Sequence, residues 1–183
     1  DAQLSRGLGD VYKRQNTPTG GDMGAHIVAI NTFIKDFMPN FQINGWSNDW
    51  FSGYPLYYFY FPLPAIITFF LNLIFPFGVA FKIMVVMSMI LVVYSIEKLM
   101  RNTPNQISIF GATAGLFYVF TESFTIYGGN LASTLAGQFS FGYSLAFANL
   151  SIFYLIKSNN NFRFPISSTF LALCLLSHLI PFI

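Results

Sequence analysis

The chain predicts an all-α fold, a polytopic transmembrane helical bundle, and three observations carry that prediction. Charged residues make up only 9% of the chain and hydrophobic ones 54%, whereas a soluble domain needs about 25% charged residues to cover its surface. Four apolar runs, 79–96, 106–121, 139–156 and 165–183, come close to the ~17–25 residues that cross a bilayer. Basic residues gather after alternate runs: Lys98 and Arg101 follow the first, Lys157 and Arg163 the third. Two crossings separate the clusters, so both can face the cytoplasm, as the positive-inside rule requires.

Three stretches follow from the same pattern. Residues 1–15 differ in composition from all that comes after and are set apart as a non-native tail. Residues 16–78 are expected to form an external region, and residues 79–183 the transmembrane helices. The last run stops inside an apolar stretch, so the chain is expected to be the front portion of a longer protein that also has a helix before Thr17.

Within the external region, Thr17–Gly21 is turn-rich and Asp22 sits where a helix N-cap belongs. Ile27, Ile30, Ile34 and Phe37 then recur at helical spacing, with Lys35 and Asp36 off the stripe and Pro39 at its end. This predicts a short amphipathic helix lying on a membrane surface. Residues 44–55 read as a polar and aromatic loop whose Trp46 and Trp50 suit the interface. The run 57–75 is apolar but contains Pro62 and Pro64 and stops before Pro76. Prolines remove helix donors, so this run is expected to be a surface or re-entrant helix and not a fifth crossing. Residues 16–56 and 122–138 then share the outer side.

Composition excludes several functions. A net charge of +2 is too small to suggest nucleic acid as a partner. The single cysteine, Cys174, cannot form a disulfide within the chain, and no Cys/His metal spacing exists. The loop Gly128–Gly137 lacks the lysine and the glycine spacing of nucleotide-binding motifs, although its backbone amides can approach a phosphate.

The candidate site residues are few. His26 follows Asp22 by one helical turn, on the same face; the pair reads either as a base or metal site or as an N-cap with an incidental histidine. Glu122 ends an uncharged helix and is either functional at membrane depth or an ordinary interfacial carboxylate. His178, before Pro181, is either a functional group or a packing residue. Glu97 reads as a solvated partner of Lys98 or Arg101.

Several segments taken together resemble a known family. Gly20-Gly-Asp-Met-Gly-Ala-His26, Gly53-Tyr-Pro-Leu-Tyr-Tyr-Phe-Tyr-Phe-Pro-Leu-Pro64, Ala80-Phe-Lys82, Tyr127–Phe141 and Leu176-Ser-His-Leu-Ile-Pro181 look like the bacterial and archaeal membrane proteins labelled "6-pyruvoyl-tetrahydropterin synthase-related". Pterin synthases use a histidine cluster, and this chain has only 2 histidines, so pterin chemistry is set aside. In layout the family is similar to the GT-C class of membrane glycosyltransferases. That resemblance implies a multi-pass protein of a prokaryotic cytoplasmic membrane, with membrane lipid and a lipid-linked sugar donor as partners. It implies Asp22 as the first-loop carboxylate, acting as base or as ligand to a divalent metal such as Mg or Mn. It implies Glu122 as a second acidic residue, and His26, Asn130, Gln138 and His178 as substrate-binding residues. Gln138 stands where the family's Gly-Glu-Phe pattern has a glutamate, which weakens the case for a carboxylate there.

Overall fold

The computed structural model describes residues 17–49, 52–101, 108–122, 128–157 and 163–183. These residues are mostly helical, with one two-stranded sheet. Six helices carry the architecture: α1 (Met23–Thr32), α2 (Leu63–Asn72), α3 (Phe77–Arg101), α4 (Ser108–Val119), α5 (Phe139–Ile156) and α6 (Arg163–Ser177). The strands β1 (Gly45–Ser47) and β2 (Tyr54–Leu56) lie between α1 and α2.

Four helices form a row in the order α4, α3, α5, α6, and the side-chain pairings give their directions. Gly111 of α4 faces Met100 and Gly115 faces Val93, so α3 and α4 are antiparallel. Tyr143 donates to the Met84 carbonyl at 2.6 Å and Asn149 to Ser95 at 3.2 Å, so α3 and α5 are parallel. Ser144 donates to the Cys174 carbonyl at 3.0 Å and Ser151 to the Ser167 carbonyl at 3.0 Å, so α5 and α6 are antiparallel. Lys98, Arg101 and Lys157 therefore stand at one end of the row. The first turns of α3 and α5 and the last of α6 stand at the other.

Small and hydroxyl residues line several of the contacts within the row, and a number of large apolar side chains face outward. Ser167 returns a bond to the Ser151 carbonyl at 2.9 Å, and Gly142 packs against Ser88. Ile90, Phe117, Leu155 and Leu171 are exposed. Close approach through glycine and serine is how helices associate where lipid surrounds them. Two helical stretches, Phe77–Arg101 and Leu131–Ile156, are long and apolar enough to cross a membrane, with mean hydropathies of 2.3 and 1.5.

The boundaries depart from the sequence pattern for identifiable reasons. α3 continues through Glu97 to Arg101, because Arg101 Nε bonds Glu97 Oε1 at 2.9 Å one turn away. Within the described residues α4 and α6 span 12 and 15 residues, against the ~17 residues of a straight crossing. α6 stops at Ser177, where the next turn departs from the helix: Ile180 N–H bonds His178 Nδ1 at 3.2 Å instead of a helix carbonyl, and Pro181 has no N–H for the Ser177 carbonyl. In α2 the prolines bound the helix instead of breaking it: Pro62 takes the N-cap position and Pro64 the first turn, where no intrahelical donor is needed. Its ten residues span ~15 Å, about half a bilayer core.

α1 corrects the expectation of a helix lying on a lipid surface by its apolar stripe. Met23, Ile30, Phe33 and Phe37 are buried with Phe81, Met84, Phe139 and Tyr143 of α3 and α5. Lys35 and Asp36 stay exposed, as their place off the stripe requires. The stripe faces protein because α2, α3 and α5 present an apolar floor directly beneath it. The helix runs on through a π turn, Phe33–Phe37, into a final turn at Met38–Asn40.

The expected loop 44–55 contains the hairpin. β1 and β2 are antiparallel, with Trp46 opposite Pro55. Gly53 (φ +128) lies beneath the Trp46 indole, where a side chain would collide. Thr32 donates to Asp49 at 2.6 Å and ties the connection back to α1. Trp50 lies outside the described residues.

Candidate functional site

The site begins with a glycine turn docked on a broken helix. Leu131–Ile156 is helical apart from a π turn at Thr134–Gln138, where Gly137 adopts φ +115. Gly20 and Gly21 also have positive φ, a backbone state open to glycine and strained for other residues. They let Asp22 N–H reach the Ala136 carbonyl at 2.8 Å. A side chain at Gly21 would strike that carbonyl, and one at Gly137 would sit 3.0 Å from Asp22 Cβ. The segments 20–26 and 128–141, far apart in sequence, meet through these glycines.

Asp22 occupies the N-cap position of α1 but makes no side-chain cap bond. Its exposed carboxylate instead lines a cavity of about 320 Å³. The other lining residues are Ala25, His26, Ala29, Tyr54, Leu56 and Tyr60. One carboxylate, one imidazole and two phenols thus converge over an apolar floor, the usual make-up of a ligand pocket.

His26 is held by its surroundings. Its ring meets Phe139 edge-on at 4.8 Å and Tyr60 at 5.7 Å. Burial pushes its pKa below the usual value, and the Asp22 charge and a hydrogen bond to the Gly137 backbone pull only partly against that. With one ring N–H engaged by Gly137, the other nitrogen of the neutral ring is a proton acceptor. Burial raises the Tyr60 pKa, and Asp22 and Tyr54 add to the rise, so that phenol keeps its proton.

The other predicted residues lie at the same end of the row but do not line the cavity. Glu122 is exposed just beyond α4. Asn130 is buried and caps the turn Leu131–Ser133, accepting from Ser133 N–H at 2.8 Å. Gln138 sits at the N-cap of α5, its backbone and Cβ close beneath Gly128. The His178 ring packs between Phe61 at 5.3 Å and Phe141 at 5.8 Å, and its Nδ1 accepts from Ile180 N–H at 3.2 Å. Since Tyr60 and Phe61 are themselves in contact at 5.8 Å, a row of rings joins the two histidines.

Tyr54 and Tyr60 were not anticipated. The tyrosine-rich run they belong to was visible, but which of its tyrosines face Asp22 depends on the hairpin. For the expected divalent metal, Asp22 and His26 supply two donors. No group of three or more His, Cys, Asp or Glu exists among the described residues; a magnesium-type ion needs only one or two protein carboxylates when substrate phosphate oxygens complete its shell.

The described fold is that of a mostly helical protein with two helices long and apolar enough to cross a membrane and, beside one end, a largely apolar cavity holding a carboxylate and an imidazole. Comparison with family models, with curated proteins and with solved structures gives no match.

Proposed function

We propose that the chain is the catalytic end of a multi-pass membrane glycosyltransferase that takes a sugar from a polyprenyl-phosphate donor on the outer membrane face. One observation carries this reading: a carboxylate and an imidazole line a cavity at the end of the helical row away from Lys98, Arg101 and Lys157. By the positive-inside rule that basic end faces the cytoplasm. The four helices of the row are the proposed crossings, and α2 rests at the interface. Lys98 and Lys157 lie along the rings of Tyr94 and Phe153 at 5.3 and 5.4 Å, as lysines do when they reach from a helix toward a headgroup layer.

In the proposed reaction an acceptor hydroxyl enters the cavity beside Asp22 and His26. One of them takes its proton as the oxygen bonds to the sugar's anomeric carbon. The bond from that carbon to the phosphate oxygen breaks, and polyprenyl phosphate leaves with the electron pair. The test is Asp22→Asn in the complete protein in its native cells. Loss of the glycan product at normal protein levels is expected; unchanged glycan at normal levels overturns the catalytic assignment.

A second reading, a transporter or flippase for a lipid-linked solute, has its own support. The helix Leu131–Ile156 is broken at Gly137, and the buried Thr134 hydroxyl in that break has no hydrogen-bond partner. Broken helices are where transporters place their substrates. Solute movement in liposomes without sugar transfer favours this reading over the first.

A further inference from the structure

We infer that the cavity beside Asp22 takes a protonated amine or quaternary ammonium group. This rests on the cavity being the functional site, as proposed above, but not on the transfer reaction.

The first ground is charge. The Asp22 carboxylate is the one formal charge among the cavity-lining residues, which include no lysine or arginine. Arg101 pairs with Glu97 at the opposite end of the row. His26 does not offset Asp22, because burial disfavours its protonated form. The helix cap does not engage the carboxylate either. A ligand group entering here meets an uncompensated negative charge. Free phosphate is repelled and a cation is drawn in, so the acceptor side of the proposed reaction enters here and the donor's phosphate stays outside the cavity.

The second ground is the rest of the wall. Tyr54, Tyr60 and His26 contribute rings, and Leu56, Ala25 and Ala29 contribute apolar surface. Both tyrosines come from the hairpin and the turn after it, and α1 supplies the carboxylate. Aromatic rings grouped around a carboxylate are the chemistry that recognises ammonium ions: the ring faces attract the charge while the alkyl groups fill the apolar floor. A cavity of about 320 Å³ is at the small end for ligand pockets. It suits a headgroup-sized amine better than a lipid-linked sugar as a whole.

The chain's 2 histidines allow a direct test. His26 lines the cavity and His178 does not, so isotope-labelled histidine gives one reporting and one reference signal in a single spectrum. The chain is placed in nanodiscs of phosphatidylglycerol alone, buffered above the histidine range. It is titrated with choline, ethanolamine, dimethylbutanol (the uncharged isostere of choline) and inorganic phosphate. The expected result is a saturable shift of His26 with an ammonium probe, none with the alcohol or phosphate, and a fixed His178. In Asp22→Asn, with His178 unmoved as the sign of an intact fold, the ammonium affinity should fall about tenfold. Nanodiscs containing phosphatidylethanolamine distinguish the sources: a shift without added amine identifies a lipid headgroup, and a shift only on addition identifies a free amine. An equal response to dimethylbutanol or phosphate, or no saturable ammonium response in either lipid, overturns the inference. Ammonium binding with unchanged glycan output in cells would refute the transferase reading alone.

Discussion

Glycine does opposite work in the helical row and in the region that covers its end. In the row, Gly111 and Gly115 keep helical backbone and serve by having no side chain: a Cβ at Gly115 would lie 3.0 Å from Val93 Cα. In the covering region, Gly20, Gly21 and Gly137 serve by their positive φ, which lets the Asp22 turn lock onto the π turn before α5. The row is a set of regular helices brought close. The covering region is irregular backbone held by a few long-range contacts. One should yield to bulk, and the other to any loss of backbone freedom.

The largest expected effect is in the covering region. Gly137→Val forces a β-branched residue to φ +115 and drives its Cβ into Asp22. A loss of about 3 kcal/mol is expected, read as thermal unfolding in detergent with a displaced His26 resonance. A change under about 0.5 kcal/mol would mean the turn does not lock there. In the row, Gly115→Leu should cost ~1–3 kcal/mol through overpacking against α3, measured by denaturant titration in micelles. Gly115→Ala should cost less, whereas at Gly137 even alanine should be poorly tolerated. Ser151→Ala, which removes one hydroxyl between α5 and α6, should cost about 0.6 kcal/mol, near the average for hydrogen bonds between membrane helices.

A pH response should single out the covering region. The folded state holds His26 below its usual 6.5, so the unfolded chain binds the proton first as pH falls. Stability should be level above about 6.5, decline as pH drops toward the folded pKa, and level again beneath it. His26→Asn should reduce that decline, with His178 accounting for any remainder; an unchanged profile would place its cause outside the covering region. The smallest stability effect belongs to Asp22→Asn, within about 0.5 kcal/mol, because no cap bond is lost. A loss near 1 kcal/mol, typical of a broken N-cap, would return Asp22 to a structural role.

The helical row was largely legible in the sequence, and the covering region largely was not. Runs of apolar residues without charge mark α3 and α5 because composition alone signals them. The Gly111–Gly115 spacing, a known helix-contact pattern, marks the face by which α4 meets α3. The proline positions around α2 showed where a helix could not continue, yet not that the prolines would serve as its first turn. Asp22 and His26 were legible as neighbours because a helix brings residues one turn apart onto one face. Tyr54 and Tyr60 were not, since hairpin register decides which tyrosines reach the carboxylate.

By itself the sequence determined the helical class and the segments apolar enough to pack in or cross a membrane. These depend on local composition and on periods of a few residues. Only the tertiary structure decided that the α1 stripe faces protein, that the Asp22 side chain makes no cap bond, and that its carboxylate opens into an aromatic cavity. Those outcomes depend on contacts such as Asp22 with Ala136 and His26 with Phe139, between segments more than a hundred positions apart, for which linear sequence has no period to display.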